Sequence, residues 1–165
     1  AVARMADGTI IKTTVIDITG SDFLGWEVNR TAFAMPEITC TIGNTLLISI
    51  SCLCEHIFAT SGGSTGSGRY GTAKLYIHTV TAAQNVTPVG TLLASVKSGR
   101  NLVASSTASS PSFSPVTVRG KFVATATSHF VGLAGQSPNI YNGMYFRISE
   151  LAPHIVVQEV KGDIT

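Results

Sequence analysis

Charge is what this sequence most lacks. Asp, Glu, Lys and Arg make up 12% of its 165 residues, about half the roughly 25% usual in globular domains. Ser, Thr, Gly and Asn take their place, because the hydrophobic share of 44% is ordinary. A monomer normally covers itself with charged side chains. So uncharged a chain is expected to hide part of its surface against further copies of itself. Eleven basic residues against nine acidic ones leave a net charge of +2. They are scattered, with no run that would track a phosphate backbone, so nucleic acid is not an expected partner.

Long apolar runs are also missing. The longest, around Leu46 to Ile50, falls far short of the roughly 18 residues of a membrane span. The opening AVARMADGTIIK lacks the continuous apolar core of a secretory signal. A soluble chain without a membrane partner is expected. Helical periodicity is absent too: no window of eleven residues places apolar side chains at helical spacing between caps. Cysteine is scarce, with Cys40, Cys52 and Cys54 alone. A zinc site needs four converging ligands, and no second Cys pair or spaced His pair supplies them. No metal or cofactor is expected, and unpaired thiols suit assembly in a reducing compartment.

What the chain does contain is strands. GTIIKTTVIDIT (8–19), EITCTI (37–42), TLLISISCLCEHIF (45–58), TAKLYIHTV (72–80), GTLLASV (90–96), VTVRGKFVATA (116–126), HFVGLAG (129–135) and GMYFRISEL (143–151) are rich in β-branched residues. Turn chemistry bounds them: IGN at 42–44, SGGSTGSG at 61–68, SGRN at 98–101, QSPN at 136–139 and YNG at 141–143. Short, regularly spaced strands joined by Gly, Ser and Pro predict an all-β chain, an antiparallel β-sandwich of jelly-roll type. Residues 1–153 are expected to form one such domain. Residues 154–165 are expected to be a tail or edge strand that docks on a neighbour. The low-complexity stretch NLVASSTASSPSFSPV (101–116) reads as a surface crossing or edge element, because Pro111 and Pro115 cannot donate ladder bonds.

Residues 45–58 gather Cys52, Cys54, Glu55 and His56 within five positions. Period-two alternation puts Ile48, Ile50, Cys52, Cys54 and His56 on one face and Leu47, Ser49, Ser51, Leu53, Glu55 and Ile57 on the other. The thiols therefore continue an isoleucine row, as small buried hydrophobes do. A disulfide between them is disfavoured, since residues two apart on a strand lie roughly 6.6 Å apart.

Other motifs fail on context. GGSTG (62–66) matches a nucleophile elbow, but strands flank it on both sides where a helix should follow. It reads as a hairpin loop. The nine carboxylates form no local acid/base pair, although Asp and Glu from different loops can converge. His78 and His129 lie inside strand patterns and read as structural. Asn29-Arg-Thr and Asn85-Val-Thr are glycosylation sequons. Aromatics beside turns give the best ligand-binding signal. Trp26, Tyr70 and Tyr141 either stack on a sugar face, with Arg69 and Asn142 bonding its hydroxyls, or pack at loop bases and interfaces.

Three segments resemble a family of tailed-phage virion proteins, the β-rich heads of tail fibres and related appendages. They are GTIIKTTVIDIT (8–19), GNTLLISISCLCEH (43–56) and GMYFRISELAP (143–153). The family's opening strand is similar to Gly8-Thr9-Ile10-Ile11. A later strand corresponds to Leu46 through Ser51, and a closing strand to Phe146 through Ala152. The chain departs from the pattern by continuing past Pro153. The hairpin VTVRGKFVATATSHFVGLAG (116–135) also resembles jelly-roll carbohydrate-binding modules and trimeric tumour-necrosis-factor-like heads. These resemblances imply a virion protein that binds without catalysing: a tail-fibre head domain, homotrimeric, contacting other virion proteins and host surface glycans. The alternative they leave open is a capsid or tail decoration protein with a purely structural role.

Overall fold

The structure is a computed structural model. It describes residues 6–25, 28–58, 69–100, 112–137 and 142–165, with the backbone alone described at 56–58, 69–70, 99–100, 112 and 142. Eleven strands run along the described residues, and no helix. They are β1 (Ile10–Asp17), β2 (Phe23–Gly25), β3 (Arg30–Thr31), β4 (Glu37–Thr39), β5 (Thr45–Phe58) and β6 (Arg69–His78). After these come β7 (Thr91–Arg100), β8 (Ser112–Val123), β9 (Ser128–Gln136), β10 (Asn142–Phe146) and β11 (His154–Val160).

All pairings are antiparallel and fall into two sheets. The long β5 is the axis of the first. It carries β8 along one edge, from Thr45↔Val123 to His56↔Ser112. Along its other edge it carries β11 opposite Thr45 to Ser51 and then β10 opposite Cys54 to Phe58. Outside these lie β1 on β11 and β2 on β10. In the second sheet β9 takes β4 and β3 on one edge and β6 on the other, and β7 pairs with β6. When collinear short strands are merged, the chain has eight rows. The first sheet runs first–eighth–third–sixth and the second runs second–seventh–fourth–fifth. That order is the jelly roll, two interlocked Greek keys.

Alternation makes the core. Ile48, Ile50, Cys52 and Cys54 are all buried on the inner face of β5, as the sequence pattern predicts. Across from them pack Ala73, Leu75 and Ile77 of β6 and Val131 and Leu133 of β9. A hydrogen bond with Cys52, together with burial, pushes the Cys54 thiol far above its ordinary value. It is therefore an inert core group. All three cysteines are free. His129 is likewise structural: its Nε2 accepts the N–H groups of Thr125 and Ala126 in the turn before it. Burial holds its imidazole below its ordinary pKa, so it stays neutral.

Three expectations need correction. Residues 154–160 do not form a tail or edge: β11 lies inside the first sheet, between β1 and β5. The acidic Glu159 within it is buried, with its carboxylate accepting Thr41 N–H and Asn44 Nδ2, each at 2.8 Å. The glycine-rich stretch 61–68 lies outside the described residues, and the strands on either side of it, β5 and β6, belong to opposite sheets and do not pair with each other. The strand expected over 143–151 stops at Phe146, where residues 148–150 turn. The edge reading of 101–116 holds for its described part: β8 begins at Ser112, takes in Pro115 opposite Leu53 and pairs with β5 alone. Proline is tolerated because β8 is an edge, so its missing N–H need not leave a neighbouring strand short.

Candidate functional site

A jelly roll sends alternate connections to opposite ends of the sandwich. Strand ends fix which ones meet. Phe58 of β5 faces Asn142 of β10, and Arg69 of β6 faces Arg100 of β7. His56 faces Ser112 of β8, Thr72 faces Gln136 of β9, and Gly25 of β2 faces Met144. The connections β2–β3, β5–β6, β7–β8 and β9–β10 therefore all leave from one end. The connections β4–β5, β6–β7 and β8–β9, with the two chain termini, lie at the other.

The expected binding residues come from three of these four connections. Trp26 follows Gly25 in β2–β3, Arg69 and Tyr70 open β6 after β5–β6, and Tyr141 and Asn142 close β9–β10. Trp26 and Tyr141 lie outside the described residues. Arg69, Tyr70 and Asn142 are placed by their backbones: Arg69 pairs with Arg100, Tyr70 with Gly99 and Asn142 with Phe58. Segments up to 115 residues apart in the sequence are thus anchored at one end of one sandwich. Sequence reasoning missed one aromatic on the way to that end. Phe113 of β8, opposite Glu55, is half exposed, and only the register of β8 on β5 reveals its position.

Beneath this end sits an ion-pair cluster that no local motif announces. Arg147 Nε donates to Glu55 Oε2 at 2.6 Å, and Nη2 bonds the same oxygen. Its Nη1 donates to Asp22 Oδ2 at 2.9 Å. The guanidinium also lies over the Tyr145 ring, 4.4 Å from the centroid. The other Asp22 oxygen accepts both the N–H and the hydroxyl of Ser149 at 2.8 Å. Burial alone would raise the Asp22 pKa, but the Ser149 and Arg147 bonds outweigh it and hold the carboxyl below its ordinary range. Two carboxylates have converged from distant segments, as the sequence allowed. They share one guanidinium, however, and an acid/base pair needs one of them free to carry a proton. The cluster works as a clasp. It ties the β1–β2 connection, β5 and the turn after β10 together just below the loops.

Among the described residues no group of three or more His, Cys, Asp or Glu side chains is arranged to hold a metal ion. A shallow concavity on the outer face of the first sheet is lined by Leu47, Ser49, Arg119, Lys121, Val156 and Gln158. It lies nearer the opposite end and holds none of the expected residues.

No family model and no curated protein matches the chain. Among solved structures, a chain in a structure of infectious bursal disease virus, strain Gx, aligns with 94% of this chain and 38% of its own length. The identity is 13% and the TM-score 0.26. A chain in a structure of the Gt strain of the same virus aligns with 94% and 39%, at 16% identity and a TM-score of 0.25. This chain spans well under half the length of either. Likeness at that level carries no argument about what this chain does.

Proposed function

We propose that the protein is a structural component of a virion, a jelly-roll head whose loop end contacts glycans on a host surface. The observation that supports this reading is that the strand ends adjoining the expected residues, Gly25 before Trp26, the backbones of Arg69 and Tyr70, and that of Asn142 after Tyr141, lie at one end of the sandwich. Sugar recognition needs flat apolar faces for the pyranose ring and planar or amide donors for its hydroxyls. Loops on a rigid sandwich can supply both without disturbing the core. Jelly rolls recur in capsid and lectin domains, an analogy of fold that raises the reading without proving it. The resemblance to tail-fibre heads of tailed phages supports the same assignment, as does a sparsely charged surface suited to a homotrimer among other virion proteins. Free thiols fit assembly in a reducing cytoplasm. The role is binding, without catalysis.

The second reading, a capsid or tail decoration protein, is favoured by one observation: the apolar outer edge at β1, described below, suits subunit contact better than ligand binding. A glycan array separates the two. Arg69→Ala with Tyr70→Ala keeps the β6–β7 backbone pairing, so fold and assembly should be unchanged. Losing one stacked ring and one charged donor is worth roughly 1.5–3 kcal/mol, so glycan or host-cell binding should fall tenfold or more. Unchanged adsorption by the double variant would leave the decoration reading in possession.

A further inference from the structure

Each sheet edge of the sandwich but one is too short to pair or carries a device against pairing within its middle; on β1 the register shift lies only at the start. The edge strand β8 has Pro115 and the charged Arg119 and Lys121. The edge strand β7 has Lys97, and its pairing with β6 is broken by a bulge at Leu75/Tyr76. The edges formed by β2, β3 and β4 are three residues long or shorter. Short, charged, bulged or proline-bearing edges are how β proteins avoid edge-to-edge association.

The exception is β1. It is eight residues long, IIKTTVID, with no proline. Among the described residues its one strand partner is β11, so its outer ladder of N–H and C=O groups faces away from the sheet. A register shift falls between Ile10 and Lys12, and Lys12 to Asp17 then run in unbroken register. Its side chains are apolar where solvent should favour polar ones: Ile10 is 53% exposed, Ile11 41% and Val15 56%. Lys12, the one cation on the strand, is turned aside and donates to the carbonyl and hydroxyl of Thr39. Two more exposed isoleucines, Ile42 and Ile164, lie in segments hydrogen-bonded to the end of β11 and the start of β5.

We infer that β1 is a seam at which two copies of this chain join edge to edge, antiparallel, across a two-fold axis. The inference rests on the self-association in the reading above and adds a two-fold contact to it, through which a trimer built on other surfaces would be linked to a second one. An open backbone ladder is satisfied by another strand, and that requirement excludes a small ligand. Charge chooses the direction. A parallel in-register pair would set Asp17 against Asp17, whereas an antiparallel pair about Val15 sets Asp17 against Thr13. The pleat restricts the register. Thr13, Val15 and Asp17 share the outer face with Val156 and Gln158 of β11. In a two-fold antiparallel pair outer residues must meet outer residues, so the sum of opposed positions is even. The register centred on Val15 places the most exposed residue of the strand against its own copy and Thr13 against Asp17 of the second copy, a hydroxyl against a carboxylate. The first sheet then runs unbroken from one copy into the next, with both exposed edges removed. An isologous contact of this kind closes on itself and leaves the loop ends of both copies free.

Val15→Cys tests it. Directly opposed Cβ atoms in an antiparallel pair lie about 4.5–5.5 Å apart, close to disulfide geometry. Mild oxidation of the folded variant at micromolar concentration should give a disulfide-linked dimer on a non-reducing gel. Wild type, whose three thiols are buried or half buried, and Thr13→Cys, whose thiols would sit several residues apart, should not. Val15→Lys opposes two ammonium groups and should raise the dissociation constant of the pair tenfold or more in sedimentation equilibrium, with an unchanged unfolding transition. A Val15→Cys protein that folds normally and stays uncross-linked would overturn the seam. A trimer seen by sedimentation in that same sample would show the broader self-association reading intact.

Discussion

Replacing Arg147 by alanine is expected to cost about 3 kcal/mol of folding stability, far more than a surface arginine normally contributes. The reason is Glu55. Its side chain sits in mid-strand on β5, 7% exposed, and Arg147 is the cation that bonds it. Remove the guanidinium and a carboxylate is left in a site that water scarcely reaches, while Asp22 loses its cation and keeps only the Ser149 donors. Breaking one side of a largely buried pair is more damaging than removing both. Glu55→Gln combined with Arg147→Met should therefore lose less than Arg147→Ala alone, and urea midpoints of the single and double variants would expose that non-additivity. The same cluster gives a pH signature. Asp22 has a folded pKa below its unfolded value, as does Glu159 at the other end, where burial is outweighed by the Asn44 and Thr41 donors. A depressed carboxyl pKa contributes stability that is fully present above the unfolded value. It is lost as pH falls through the folded one. Wild type should hold constant stability near neutrality and weaken on acidification below about pH 4, and Arg147→Ala should show a shallower loss. Identical acid profiles for the two proteins would mean that Asp22 is not clasped in solution.

Gly135→Ala is expected to cost a similar amount, about 3 kcal/mol, through overpacking. Gly135 of β9 faces the other sheet where the two approach closely. A Cβ there would lie 2.2 Å from Cε2 and 2.8 Å from Cζ of Phe146. That ring is fully buried and packs against Phe23 at a centroid distance of 6.1 Å, so it has no free direction in which to yield. Gly25 of β2 stands across the same gap, its own Cβ position 3.3 Å from the Gly135 backbone. These two glycines let the sheets close just below the loop end. Adding Phe146→Leu to Gly135→Ala should recover part of the loss, because a smaller side chain makes room for the methyl group. An additive, worse double variant would contradict the collision, and so would an Ala variant as stable as wild type.

These two sites show where sequence reasoning reaches its limit. Alternation in TLLISISCLCEHIF was enough to place β5 to the residue and to put Cys52 and Cys54 in the core, because period two is a local property of one strand. Pairing is not local. Asp22, Glu55 and Arg147 meet across separations of 125 and 92 residues, and nothing near any of them signals the other two. The stretch SGGSTGSG was legible as the end of a strand, yet turn residues record that a chain leaves a strand and not which sheet it enters. The segment HIVVQEV read as a tail or edge because it follows Pro153 and carries only a short apolar patch, Ile155 to Val157. Its place between β1 and β5 depends on Thr41 and Asn44, which neutralise the cost of burying Glu159. The five expected binding residues were chosen for their chemistry beside turns. That their strands anchor at one end follows from the Greek-key order alone.

The central claim is that this is a virion head domain with its loop end turned toward the host. A reconstruction of particles that carry the chain, at a resolution sufficient to orient the sandwich, tests it most directly. The account predicts the end bearing Trp26, Arg69, Tyr70, Tyr141 and Asn142 at the outer surface, free of other subunits, with β1 in a contact between copies. A loop end buried against neighbouring virion proteins, or particles that lack the chain altogether, would contradict it.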